Sequence, residues 1–194
     1  MTDAARGPVD RLAAFAGRPA ASLLVAAWAA VEAIVLPIVP DVGTAALVLA
    51  SPRHVARMLA AVVIGAVFGS LLLAGLFATA PGAARDLILA VPGVNGFLLE
   101  AARTDLERAG VLGFTQLGPG PPLKTYSLEW LALGGNAPGL VAGAIVNRIS
   151  RIGPVLLAAA VLGWAFGGPI RRHPAATALA YAAFWVGVYA YTFG

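Results

Sequence analysis

The feature that most constrains this chain is an apolar run, Ala20 to Ala50, that is too long for one membrane crossing and is broken in its second half. It holds about 31 residues, where a helical span needs ~20. Pro37 and Pro40 cut it into pieces of roughly 17 and 10 residues, each at or below the lower limit of a span. Two carboxylates, Glu32 and Asp41, flank the break. Hydrocarbon offers no water to the backbone groups that proline leaves unpaired. A broken segment at membrane depth must therefore be buried in protein or line a wet cavity.

Composition supports the membrane setting. The chain is 60% hydrophobic and 11% charged, with a mean hydropathy of +0.86. Soluble domains carry about one quarter charged residues. The isoelectric point of 10.1 reflects a net charge of only +4, and no basic cluster interleaves with aromatics. This argues against a nucleic-acid partner and for basic loops at one membrane face. The absence of cysteine excludes disulfides, thiol catalysis and zinc–thiolate sites. His54 and His173 lie in short basic stretches and are read as surface residues. With no Walker sequence, no Ser/His/Asp constellation and no cluster of metal ligands, the expectation is no enzyme, no cofactor and no metal. Ala27-Trp28-Ala29 has the look of a leader cleavage site, but the apolar run continues through it, so cleavage is not expected.

The pattern divides the chain into three parts. Residues 1–19, with Arg6, Arg11 and Arg18 around Leu12 and Phe15, predict a surface amphipathic segment with a helix starting at Pro8. Residues 20–168 form the membrane domain. Within it, Met58 to Thr79 is the cleanest span, about 22 uncharged residues or ~33 Å of helix. Residues 80–108 are a polar middle, in which Phe97 to Arg108 is either an amphipathic helix on the membrane surface or a solvated loop. A helix from Gly139 is expected to run to Phe166, with 169–174 a basic loop. Residues 175–193 are a C-terminal transmembrane helix, its aromatics suited to an interfacial belt.

A second irregular apolar region, residues 111–135, parallels the first. It carries Pro119, Pro121 and Pro122, then Lys124 and Glu129. Paired interruptions in corresponding halves are the mark of an inverted-repeat transporter. The predicted fold is therefore an all-α polytopic membrane protein, an inverted repeat of two proline-broken re-entrant hairpins, 20–50 and 111–135, plus transmembrane helices. The hairpin tips are Pro37 and Pro40 in one and Pro119, Pro121 and Pro122 in the other. With the N-terminus cytoplasmic, Arg53, His54, Arg57, Arg171 and Arg172 all fall inside and the acidic middle falls outside.

At these residues the chain resembles the DedA superfamily, whose shared part is the VTT domain, over roughly Ala20 to Phe166. Glu32, Pro37, Pro40 and Asp41 carry the first half of the likeness. Phe114-Thr115-Gln116, Pro121-Pro122-Leu123-Lys124 and Asn147-Arg148-Ile149-Ser150-Arg151 carry the second. Gln116 and Lys124 stand where the commoner pattern has arginine, and Leu133-Gly134-Gly135 aligns only loosely with its Ala-Gly. Pro122-Leu123-Lys124-Thr125-Tyr126 is nearer to a Pro-x-Lys-x-Tyr branch. The resemblance implies a bacterial cytoplasmic-membrane protein that moves phosphate-bearing lipid, a polyprenyl phosphate or a phospholipid, as flippase or scramblase, with proton coupling in some members.

The side chains divide by sign. Lys124, Arg148 and Arg151 suit a phosphate, and Arg148 and Arg151 share a helix face. Glu32, Asp41 and Glu129 suit proton coupling or charge pairing, with Glu32 the expected titrating group and Asp41 the structural one. Membrane lipids, a phosphate-bearing lipid substrate and protons are the expected partners, and an oligomer is compatible with the sequence. Two alternatives stay open: a small-solute or cation/proton exporter on the same fold, and a non-transporting assembly factor whose buried charges are structural.

Overall fold

The computed structural model describes residues 7–37, 40–117 and 120–193. Nine α-helices follow one another among the described residues, with no strand. They are α1 (Pro8–Ala16), α2 (Pro19–Glu32), α3 (Asp41–Ala50), α4 (Val55–Thr79), α5 (Pro81–Leu89), α6 (Gly96–Ala109), α7 (Leu123–Ala132), α8 (Ala137–Arg172) and α9 (Pro174–Phe193). Short 3-10 turns occupy Pro52–His54 and Gly110–Phe114. Proline at the first or second position starts α1, α2, α5 and α8, where its missing N–H costs nothing. Asn95 and Asn136 cap α6 and α8, accepting from Leu98 N at 3.1 Å and Gly139 N at 2.8 Å.

Two helices are long and apolar enough to cross a membrane, α4 with its preceding turn and α8. A third crossing is added if α1 and α2, bent by 81° at Gly17 and Arg18, count as one span. This fits a membrane protein. The 3-10 turn Pro52–His54 leads directly into α4, so the helical stretch begins ahead of the expected Met58. The polar middle is not a bare loop: the helix expected over Phe97 to Arg108 is present as α6, and a further short helix, α5, precedes it. α6 turns Ala102 and Leu106 into a core shared with Phe114 and Tyr126. The helix that packs against α7 thus lies ahead of residue 111, the expected start of the second irregular region.

The expected basic loop at 169–174 is also different. Helix continues to Arg172, and the chain bends instead at Phe166, whose φ of −118° and ψ of 16° leave the helical range. Pro169 explains the bend, since its ring collides with the carbonyl four residues back and removes one hydrogen bond.

The outer ends of α2 and α3 meet at one end of the molecule. Arg57, in the first turn of α4, donates to the carbonyls of Ala16 and Gly17, and a side chain at Gly17 would touch His54. From there α2 climbs beside α4 at very close range. A Cβ at Gly65 would strike the backbone of Ala26, and one at Gly69 the backbone of Ala30 and the Ala33 methyl. Small residues are what permit such an approach. α3 packs instead on α8, where Gly163 lies against Leu49 and Pro52.

Apolar contacts gather into three clusters along the bundle. One joins α2, α3 and the start of α4 to Ile152, Leu156 and Trp185. The next holds Ala33, Ala66, Phe114, Leu123, Tyr126, Leu140 and Ala144. The third, around Leu73, Ile88, Leu99 and Leu128, lies at the opposite end.

Candidate functional site

Between the first two clusters lies a polar layer. Ala29 on α2 belongs to one cluster and Ala33, just past its end, to the next, with Glu32 between them. On α8, Ala144 and Ile152 belong to the two clusters, with Asn147 and Arg148 between them. At 1.5 Å per residue, Glu32 is about 20 Å from the start of α2 and Arg148 about 17 Å from the start of α8. Both values are close to half of the ~37 Å length of the 25-residue α4.

Five of the six ionisable residues singled out in the sequence fall in or beside this layer. Arg148, with no exposed surface, donates through Nη2 to the Glu32 carboxylate, itself 1% exposed. Lys124 Nζ is 4.0 Å from Glu32 Oε1 and donates to the Leu36 carbonyl at 2.6 Å. Asp41 is buried at the first turn of α3 and feels the charges of Arg151, Arg148 and Glu32. Arg151 is half-buried and donates to Gln116 Oε1 at 3.2 Å. The pairing leaves atoms over. Arg148 Nε and Nη1 and Asp41 Oδ1 have no hydrogen-bond partner among the described residues. Neither Asp41 nor Arg151 forms an ion pair among them.

Local sequence explains how these groups are held. Pro40 and Pro122 occupy the N-cap positions of α3 and α7, two helices of ten residues each. A threonine hydroxyl closes each first turn: Thr44 donates to the Pro40 carbonyl at 2.7 Å and Thr125 to the Pro122 carbonyl at 2.6 Å. Both helix N-termini therefore open onto the polar layer. Asp41 there suits the partial positive charge of a helix start; Lys124 opposes it and is held by Glu32 and the Leu36 carbonyl.

The α8 side is built by a stripe at i, i+4 and i+7. Gly143 leaves room for the Phe114 ring, Asn147 Nδ2 donates to the Phe114 carbonyl at 3.0 Å, and Ser150 Oγ accepts from Gln116 N at 3.0 Å. The stretch Phe114–Gln116 is thereby fastened to α8, one helix face round from Arg148 and Arg151. Sequence reasoning quoted Gln116, Asn147 and Ser150 but gave them no role in the site. The spacing of Asn147 and Ser150 along one face of α8 was the available signal.

Glu129 is elsewhere. It is nearly buried on α7, 3.6 Å from Arg85 on α5 and 3.7 Å from Arg103 on α6. Together with Tyr126, whose hydroxyl donates to Asp105 at 2.8 Å, it ties α7 to the neighbouring helices toward the opposite end of the bundle. Of the expected hairpin tips, Pro37, Pro40, Pro121 and Pro122 are described, and Pro119 lies outside the described residues. Among the described residues no group of three His, Asp or Glu side chains could hold a metal.

Chemically, the layer carries three cations, Lys124, Arg148 and Arg151, against two carboxylates, Glu32 and Asp41, a formal excess of +1. Two helix N-termini add partial positive charge. Such an arrangement favours an anion able to accept from several donors at once. In comparisons with known proteins, the chain matches no family model, no curated protein and no solved structure.

Proposed function

We propose that this protein moves a phosphate-bearing lipid across a membrane, its headgroup entering the buried layer around Lys124, Arg148 and Arg151. The observation that carries the reading is an unsaturated guanidinium. Arg148 is fully buried, yet two of its three nitrogens lack partners among the described residues. A buried cation left short of acceptors is costly in a protein interior and is expected at an ion or substrate path. The excess of positive charge favours a phosphate over a metal cation and sets this reading above the exporter alternative.

In this reading α2–α3 and α6–α7 are the two re-entrant hairpins of an inverted repeat. Several features support it. α1 and α5 have nine residues each, α2 and α6 fourteen each, α3 and α7 ten each, and a long apolar helix follows in both halves. The Pro–Thr closures of α3 and α7 correspond as well. α9 then serves as an additional transmembrane helix. The basic residues near the joint of α2, α3 and α4 face the cytoplasm in this assignment, and the acidic α6 faces outward. The pattern of Glu32, Pro37, Pro40 and Asp41 with Pro122, Lys124 and Arg148 supports membership of the DedA superfamily.

Proton coupling falls more naturally to Asp41 than to Glu32. Glu32 is engaged by Arg148 and approached by Lys124, whereas Asp41 has no ion pair among the described residues and an unpartnered Oδ1. An incoming phosphate would draw Arg148 from Glu32, coupling substrate to the carboxylates through shared cations.

The test is reconstitution in liposomes with a headgroup-accessibility assay for a fluorescent phosphatidate and a polyprenyl phosphate. Protein-dependent appearance of headgroup in the opposite leaflet is expected for at least one. A folded protein that moves neither would sink the proposal.

A further inference from the structure

A groove of about 540 Å³ runs along the outside of the α2/α4 contact. Small residues Ala27, Ala30 and Gly65 and bulky Ile34, Phe68 and Leu72 line it, and its lining is apolar throughout. Its α4 wall, Ile64 to Leu72, is the central part of a helix long and apolar enough to cross a membrane, a face that a bilayer would cover with hydrocarbon. On α2 the groove follows positions 23, 27 and 30, and past its end Ile34, while the buried positions 21, 25, 29 and 32 follow the opposite face. The groove therefore reaches the polar layer round the end of α2. There Val35 lines the groove, and the next residue, Leu36, gives its carbonyl to Lys124 Nζ at 2.6 Å. From Leu23 to the end of α2 at Glu32 it extends about 14 Å, and it continues over the following turn to Val35, a length suited to an extended lipid chain.

We propose that this groove holds the hydrocarbon tail of the lipid whose phosphate enters the Lys124–Arg148–Arg151 layer, an inference that rests on the reading above. The tail stays at the protein–lipid boundary while the headgroup turns inward past Leu36. The substrate is then a lipid recognised at both ends, and a free phosphate ester of the same headgroup would be held by half of the site.

The experiment uses the full chain in proteoliposomes with a phosphatidate carrying a photoactivatable diazirine on one acyl chain, and mapping of the labelled peptides. Saturable labelling of Ile64–Leu72 is expected, suppressed at least about tenfold by unlabelled phosphatidate, beside non-saturable labelling of the exposed α8 face at Leu157 and Val161. Ala27→Trp, at an exposed position, should fill the groove and remove the saturable component. Leu24→Trp, exposed on α2 outside the groove, should leave it unchanged. Groove labelling as unsaturable as that of α8, or unaffected by Ala27→Trp, would overturn the proposal and leave the headgroup site standing. Saturable labelling competed equally by diacylglycerol would support a tail site and overturn the phosphate reading.

Discussion

Arg148 and Glu32 are exposed to 0% and 1%, and each is the other's nearest opposite charge among the described residues. Removing one partner strands the other in a low-dielectric interior, which costs about 3–5 kcal/mol. Arg148→Ala is therefore expected to lower the melting temperature of the purified protein sharply, and the double variant Glu32→Gln/Arg148→Gln to recover most of the loss. A single variant that melts like the parent would show the pair to be dispensable. Asp41→Asn should behave oppositely. With no ion pair to break among the described residues, it should melt within about 1 kcal/mol of the parent, while the proposed transport should lose its pH dependence; an unchanged pH profile would remove Asp41 from the proposed proton coupling. The charged residues themselves were legible, since carboxylates and arginines in apolar sequence stand out against the cost of burying them. Their pairing was not. Nothing local to Glu32 indicates which partner, 116 residues away, it meets; its setting among Ala and Ile is what makes it the expected titrating group in the sequence.

Among the elements, the α2/α4 contact depends on two missing side chains. Gly69→Leu is expected to push α2 from α4 and destabilise the protein by about 1–3 kcal/mol or more, measured as thermal unfolding in detergent. Gly75→Ala, on the same helix with nothing within 4 Å of the added methyl, should be neutral or gain up to about 1 kcal/mol. Equal effects of the two would remove the contact from the argument. α4 was readable because a long uncharged apolar run admits few structures. α6 was harder, because Arg103, Asp105, Glu107 and Arg108 mask the face that Leu99, Ala102 and Leu106 bury. The extension of α8 past Pro169 was hidden for another reason: a proline can bend a helix as well as end it, and neighbouring packing decides which.

At the scale of the whole molecule, charge is sorted by end. Arg53, His54, Arg57 and the Arg171–Asp10 pair lie where α2, α3 and α4 meet, while Arg85, Arg103 and Glu129 lie toward the other end. The native chain has no cysteine, so single cysteines report cleanly. Arg53→Cys and Arg172→Cys are expected to react with a membrane-impermeant maleimide from one side, and Glu100→Cys from the other. Labelling of all three from the same side would overturn the topology. Hydropathy and loop charge were enough to suggest this sorting, because both are sums over many residues. The depth of the polar layer is set by how far short helices climb along longer ones, and that appears only in the packing.

The 116-residue gap between Glu32 and Arg148 also imposes an order of assembly. A ribosome adding ~5–20 residues per second needs roughly ten seconds to supply the second after the first. Through that interval the newborn carboxyl group has no Arg148 to meet, and its least costly seat is a shallow one near water. The outer end of α2 can already be tied down, since Arg57 follows Gly17 by only 40 residues. The outer end of α2 is then anchored while Glu32 waits, and the late arrival of α8 is the event that draws Glu32 into the core.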